Sequence, residues 1–289
     1  MSSRVKGIIA ILIASLGFAF MSIFVKLAGD LPTVQKVIFR NLISMILAFT
    51  MVTINKESYF GKKENRKLLL LRSALGTIGM LLFFYSISNL VAADANALNK
   101  LSSFFLIGFS FIFLKEKISL KQLIAIIIAF IGALLIIKPT FSLEILPYFT
   151  SILAAMFAGA AYTVLRPLGK REKYYTIVFF FSTFSVITLL PFVIIQYQPM
   201  TGIQILYLIL AGLGATAGQF GTTLAYKFAP ANEISIFNFS NVIFVTLLAI
   251  PLLGEFPDYL SIIGYVVIFA ASFYMFKNNS KELPMDVNE

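Results

Sequence analysis

The sequence predicts an all-α membrane protein of ten transmembrane helices, arranged as two inverted five-helix repeats. Three observations predict it. First, 59% of the 289 residues are hydrophobic and only 12% are charged, where a soluble domain carries about a quarter charged residues. Second, the apolar residues fall in long blocks, such as 8–25, 178–195 and 262–276, rather than in the stripes of an amphipathic helix. Third, the chain matches itself at a fixed offset, and its basic residues crowd into alternate connections.

Crossing a hydrocarbon core of ~30 Å takes roughly 20 residues. Ten segments are long enough: 7–28, 33–54, 68–89, 94–114, 119–137, 145–165, 175–196, 203–226, 232–253 and 259–276. Breaking residues separate them, at Asp30-Leu31-Pro32, Lys138-Pro139, Gln198-Pro199, Ala229-Pro230 and Phe256-Pro257. The N-terminal run resembles a signal peptide, but it is long and lacks a small-residue cleavage site, so it reads as a retained first span. Cytoplasmic loops carry the excess of Lys and Arg. With both termini in the cytoplasm, eighteen basic residues lie on that side and three, Lys26, Lys36 and Lys138, lie outside. The net charge of +10 is therefore a topology signal, and no nucleic-acid partner is expected. Arg40 in the second span and Lys100 in the fourth are left over.

At an offset of 139, residues 72–138 align with 211–277 without a gap. Thr77 meets Thr216, Gly79 meets Gly218, Ala92 meets Ala231, Asn99 meets Asn238, Glu116 meets Glu255 and Lys138 meets Lys277. Asp94 meets Glu233, and at an offset of 140 Lys26 meets Arg166. Residues 1–140 and 141–278 are the expected repeats, with 279–289 as a cytoplasmic polar tail. Five spans per repeat invert the second repeat relative to the first, a design of secondary transporters that places the substrate near the bilayer midplane.

The chain has no cysteine and no histidine. Thiol chemistry, the usual zinc sites and the commonest general base near neutral pH are therefore missing, and no catalytic residue, metal site or cofactor is expected. There is no phosphate-cradling nucleotide loop, so ATP is not expected to drive the protein directly. The expected partners are the lipid bilayer, a small-molecule substrate, and a proton or counter-substrate. Monomer and homodimer are both compatible with the sequence.

A charge deep in a bilayer costs about 2.5–3.5 kcal/mol on insertion scales, so Lys100 should face a cavity or a partner. Asn96, Asn99, Lys100 and Ser103 share one broad helical face, and Asn238 and Asn241 with Ser235 form the matching stripe on the ninth span. These are the candidate substrate-binding residues, together with Gln219, Tyr85 and Tyr162. Arg40 lies about 10 Å from the outer face at 1.5 Å per residue, where an ion pair with an outer carboxylate, or snorkelling, is expected. Asp94 and Glu233 open the fourth and ninth spans, where capping is the ordinary role of a carboxylate and gating the alternative. Ser119 and Asp258 read as N-caps of the fifth and tenth spans. Gly76, Gly79, Gly214, Gly218 and Gly221 read as close-packing seams.

Lys26, Arg40, Arg72-Ser73-Ala74-Leu75-Gly76, Ala93-Asp94-Ala95-Asn96-Ala97-Leu98 and Leu114-Lys115-Glu116-Lys117, with counterparts Ala229-Pro230-Ala231-Asn232-Glu233 and Leu253-Gly254-Glu255, resemble the drug/metabolite transporter superfamily, specifically its EamA-type ten-span members. The resemblance implies a central cavity lined by spans 1, 3, 4, 6, 8 and 9, with span 2 peripheral. The proline common in mid span 4 is absent at Leu101-Ser102-Ser103, so that span is expected to run straighter. The membrane-embedded glutamate of small multidrug exporters is missing from the first span. The deep charges are positive, which points to an anionic or zwitterionic substrate. The expected function is a secondary active exporter of a small polar metabolite, an amino acid or relative, by alternating access as one half rocks against the other in a prokaryotic inner or plasma membrane. An importer or exchanger of a phosphorylated or nucleotide-linked metabolite is the alternative, with a membrane enzyme or scaffold as the non-transport readings.

Overall fold

A computed structural model describes residues 3–115, 118–138, 145–169, 171–228 and 235–279, and these contain helices and no strand. The first three spans are α1 (Ser3–Leu27), α2 (Thr33–Ile54) and α3 (Arg66–Asn89). The fourth is split into α4 (Ala92–Asn99) and α5 (Ser102–Leu114). Then come α6 (Leu120–Ile137), α7 (Leu146–Gly169), α8 (Tyr174–Gln196) and α9 (Gly202–Phe228). The ninth span opens as a 3-10 turn, Ser235–Phe239, and continues as α10 (Ser240–Leu253); α11 (Tyr259–Asn279) is the tenth. Among the described residues nine helices are long and apolar enough to cross a membrane, and the shorter apolar Phe237–Leu253 makes the tenth span. Apolar side chains such as Ile13, Ile112, Ile195 and Leu247 point outward, as a lipid solvent requires, while serines, asparagines and small residues fill the interior.

The two halves are not separate lobes. The most extensive contacts join one half to the other: α1 on α9, α3 on α7, α6 on α11 and α2 on α8. The first two are repeat-related and use the same device. At Gly17 an added Cβ would sit 2.7 Å from the Gly214 carbonyl oxygen and 2.9 Å from the Gly218 nitrogen, so α1 and α9 meet backbone to backbone. At Gly79, the repeat mate of Gly218, it would sit 3.2 Å from Phe157 Cβ and 3.3 Å from the Ala158 nitrogen of α7. Both seams match the packing role expected of these glycines.

The fourth span is not straighter for lacking proline. Its α-helical ladder breaks at Lys100 and Leu101, with ψ of −17° and −19°. The Lys100 and Leu101 nitrogens donate three residues back, to Ala97 and Leu98, and Ser103 does the same to Lys100, the spacing of a 3-10 turn. Tertiary packing accompanies the distortion: a Cβ on Gly159 of α7 would lie 2.8 Å from the Ser102 carbonyl oxygen and 2.7 Å from Phe105 Cβ. The ninth span is distorted at the equivalent place, where Phe239 (ψ −17°) is the repeat mate of Lys100. The two broken spans pack on each other through α4 and α10.

The end opposite the N-terminus is tied across the halves by polar contacts. Lys26 at the end of α1 pairs with Glu255 and also reaches the Leu90 carbonyl oxygen. Glu255 accepts from the Ala92 nitrogen at 2.8 Å. Lys138 pairs with Asp258, whose carboxylate caps α11 through the Leu260 and Ser261 nitrogens at 2.9 and 3.1 Å. Ser119 caps α6 in a reciprocal capping box with Gln122.

Candidate functional site

Lys100 stands at the break of the fourth span, half-buried, and its ammonium has no hydrogen-bond or ion-pair partner among the described residues. Asn99 beside it is half-buried and likewise makes no side-chain hydrogen bond there. Asn238, its repeat mate, is half-buried and partnered. The remaining residues of the two expected stripes do not gather around Lys100. Asn96 is buried and donates to Ser22 of α1 at 3.1 Å and to the Ala92 carbonyl oxygen at 2.9 Å. Asn241 is buried and donates to the Ser15 carbonyl oxygen, also on α1, at 3.1 Å. Ser103 is exposed. Tyr85 is half-buried on α3.

A second cluster lies in the bundle around Arg40. Its side chain is 2% exposed; it neither snorkels to the surface nor meets a carboxylate among the described residues. Instead Arg40 Nη1 donates to Asn41 Oδ1 at 2.5 Å, and Asn41 donates in turn to Ser185 Oγ of α8 at 2.8 Å. With its amide oxygen turned toward the guanidinium, Gln219 of α9 accepts from Arg40 Nη2 at 2.5 Å and from Nη1 at 3.2 Å. Arg72 of α3 and Tyr162 of α7 lie within electrostatic reach of Arg40 and of each other. The Arg72 guanidinium rests 4.0 Å from the centre of the Phe181 ring. Gly76, one turn on, leaves the room: a Cβ there would be 3.0 Å from Phe181 Cε2 and 3.3 Å from Arg72 Nη1. Arg40 Nε, Arg72 Nε and Arg72 Nη1 are buried and make no hydrogen bond. Tyr162, close to both guanidiniums, keeps 47% of its surface open.

Arg72 is the residue that the sequence reading misplaced, counting it among the basic residues of a cytoplasmic segment. The signal was present. Arg72 follows four leucines without a turn residue, and α3 begins at Arg66, more than a turn earlier. Moving it inward leaves seventeen basic residues on that side of the count.

Asp94 is buried in the first turn of α4 and does not act as a cap. Its Oδ1 accepts from the Tyr265 hydroxyl of α11 at 2.5 Å, a contact that again joins the halves. Glu233, expected as its counterpart, and Glu116 lie outside the described residues.

Ten apolar spans, repeat-related broken helices meeting in the bundle, and unneutralised basic groups beside them define an inverted-repeat membrane transporter. The chain belongs to the EamA-like transporter family, which matches residues 5–138 and again 145–277. It is 28% identical over 269 residues to the pseudopaline exporter CntI of Pseudomonas aeruginosa, covering 92% of this chain and 94% of that protein. It is 30% identical over 277 residues to an uncharacterized transporter of Helicobacter pylori, covering 92% of each. Solute carrier family 35 member G1 of Homo sapiens is 26% identical over 282 residues, covering 92% of this chain and 77% of that one. A solved crystal structure aligns over 97% of this chain and 99% of its own with a TM-score of 0.66, and at 15% identity it speaks for the fold alone.

Proposed function

We propose that this transporter is a secondary active exporter of a small polar anionic or zwitterionic metabolite, an amino acid or a close relative, working by alternating access. The observation that carries the reading is Lys100, an ammonium without a described partner at the break of the fourth span, where α4 meets the equally broken ninth span. A cation held in that place attracts a substrate carboxylate and gains by neutralisation. Asn99 beside it and Asn238, the repeat mate of Asn99, are the candidate hydrogen-bonding groups, and Tyr85 and Tyr162 are the aromatic candidates for shape. A relative named as an exporter supports the direction.

The two sequence repeats are 1–140 and 141–278, followed by the polar tail 279–289. The bias of basic residues supports cytoplasmic termini, and bacterial relatives support a prokaryotic plasma membrane. The ties at the end opposite the N-terminus act as its gate: Lys26 with Glu255, Lys138 with Asp258, and Asp94 with Tyr265. Asp94 is also the carboxylate inside a span best placed to take up a coupling proton. Because the extensive interfaces join the halves, a motion that parted them as rigid lobes would open all of these interfaces together. The moving bodies are therefore groups of helices drawn from both halves, such as α1 with α9 and α3 with α7.

The test is flux into liposomes of labelled amino acids, nucleotides and cations, with and without a proton gradient. Amino-acid flux that Lys100→Ala abolishes is the expected result; undiminished flux in that variant removes Lys100 from the site. Phosphorylated-metabolite exchange is the second reading, favoured by the Arg40 and Arg72 guanidiniums. Labelling of Lys62→Cys by an impermeant reagent from outside the cell would reverse the orientation.

A further inference from the structure

The Arg40–Arg72 cluster goes beyond a single cation awaiting a carboxylate, and we propose that it is an anion subsite that selects substrates carrying two negative charges: two carboxylates, or one doubly ionised phosphate. The proposal rests on the transport reading above and narrows its substrate class.

Two guanidiniums stand within the spans with no carboxylate against either of them among the described residues. Guanidinium groups are not deprotonated in proteins, so the cluster carries two positive charges. Buried charge of one sign is costly unless something neutralises it. The neighbours do so only in part. Gln219 and Asn41 are neutral acceptors on Arg40, and Phe181 offers Arg72 the face of a ring. The N–H groups left over are Arg40 Nε with Arg72 Nε and Nη1, donors from two different helices. One carboxylate would balance one guanidinium; charge balance over the cluster needs two negative charges. Guanidinium N–H groups suit both planar carboxylate and tetrahedral phosphate oxygens. Tyr162 lies within electrostatic reach of both guanidiniums and adds a hydroxyl to the cluster. The repeat mate of Arg72 in the second half is Ala211, so the charge is not repeated there.

The experiment is thermal unfolding of the purified full chain in detergent, with glutarate, succinate, inorganic phosphate, acetate or glycine as probes, read as a ligand-dependent rise in the midpoint. Glutarate, succinate or phosphate is expected to raise it, and acetate and glycine to leave it unchanged. Dicarboxylates alone would assign two carboxylates, and phosphate alone a phosphorylated compound. Arg72→Gln should weaken dianion binding about tenfold or more, and Arg72→Lys should retain part of it, because it keeps the charge but not the fork. Arg72 makes no hydrogen bond among the described residues and its buried charge is a cost, so the unliganded midpoint of Arg72→Gln should not fall below that of the parent, which separates lost binding from lost folding. Acetate binding as tightly as the dianions, dianions failing to bind, or Arg72→Gln binding them like the parent would each overturn the proposal. Amino-acid flux without dianion binding sinks this inference alone; absence of flux for every solute and gradient sinks the transport reading beneath it.

Discussion

The two halves share a backbone and differ in charge. Each has a span broken at the same repeat position, with ψ of −17° at both Lys100 and Phe239, and each sends a glycine-lined helix into the other half. Yet Arg40, Arg72 and Lys100, the basic residues deep within spans among the described residues, all belong to the first half; Ala211 and Phe239 stand where the repeat would put Arg72 and Lys100. Geometry repeats because packing demands it of both copies. The charges do not repeat, and a duplicated buried cation would add desolvation cost. The fold is thus symmetric and the chemistry one-sided.

The sharpest way to break the comparison is Lys100→Phe, which gives the fourth span the residue of the ninth. Flux in liposomes should fall about tenfold or more, while the far-ultraviolet spectrum and monodispersity stay those of the parent. The seams come next. Gly17→Ala drives a Cβ into backbone atoms of Gly214 and Gly218 that cannot yield, and should cost about 1–3 kcal/mol in denaturant unfolding. Gly79→Ala, with its nearest contacts at 3.2 and 3.3 Å, should cost less than Gly17→Ala; equal losses would mean that the two seams are equivalent after all. A smaller contrast sits at the ends of the broken spans. Lys115 and its repeat mate Gly254 both adopt left-handed backbone, with φ of 57° and 65°. Lys115→Gly should therefore stabilise, and Gly254→Ala destabilise, each by about 0.5–1 kcal/mol. The smallest effect concerns pH. Partial burial works to raise the Asp258 carboxyl, but the Lys138 ammonium and the Ser261 and Leu260 N–H groups win and hold it below the usual carboxylate range. A depressed carboxyl contributes stability above its unfolded value and loses it as pH falls through the folded one. The Lys138–Asp258 tie should hold at neutral pH and weaken only in strong acid, and Asp258→Asn should flatten that acid limb of a thermal-stability profile.

Most of the architecture was legible in the sequence because hydropathy and charge bias are imposed by the bilayer at every span, and the offset of 139 exposed the repeat. Side-chain destinations were less legible. A helical wheel puts Asn96, Asn99, Lys100 and Ser103 on one face only if the helix is regular; the ladder instead breaks at Lys100, Asn96 before the break bonds to Ser22 of α1, and Ser103 beyond it is exposed. The missing proline suggested a straight span; the close approach of Gly159 to Ser102 is tertiary and has no local signature. Arg72 was hidden by its nearness to Arg66 and Lys67, which do lie at the helix start. Asp94 read as a cap because its partner, Tyr265, is 171 residues away.

The cross-half interfaces have a consequence for biogenesis. α6 finds its main partner in α11, and α1 finds its own in α9, elements made long after the first half has entered the membrane. The first five spans must therefore wait in lipid with their glycine seams and three embedded cations uncovered until the second five arrive. That interval, rather than the finished bundle, is where a truncated or slowly translated chain is most open to quality-control proteolysis.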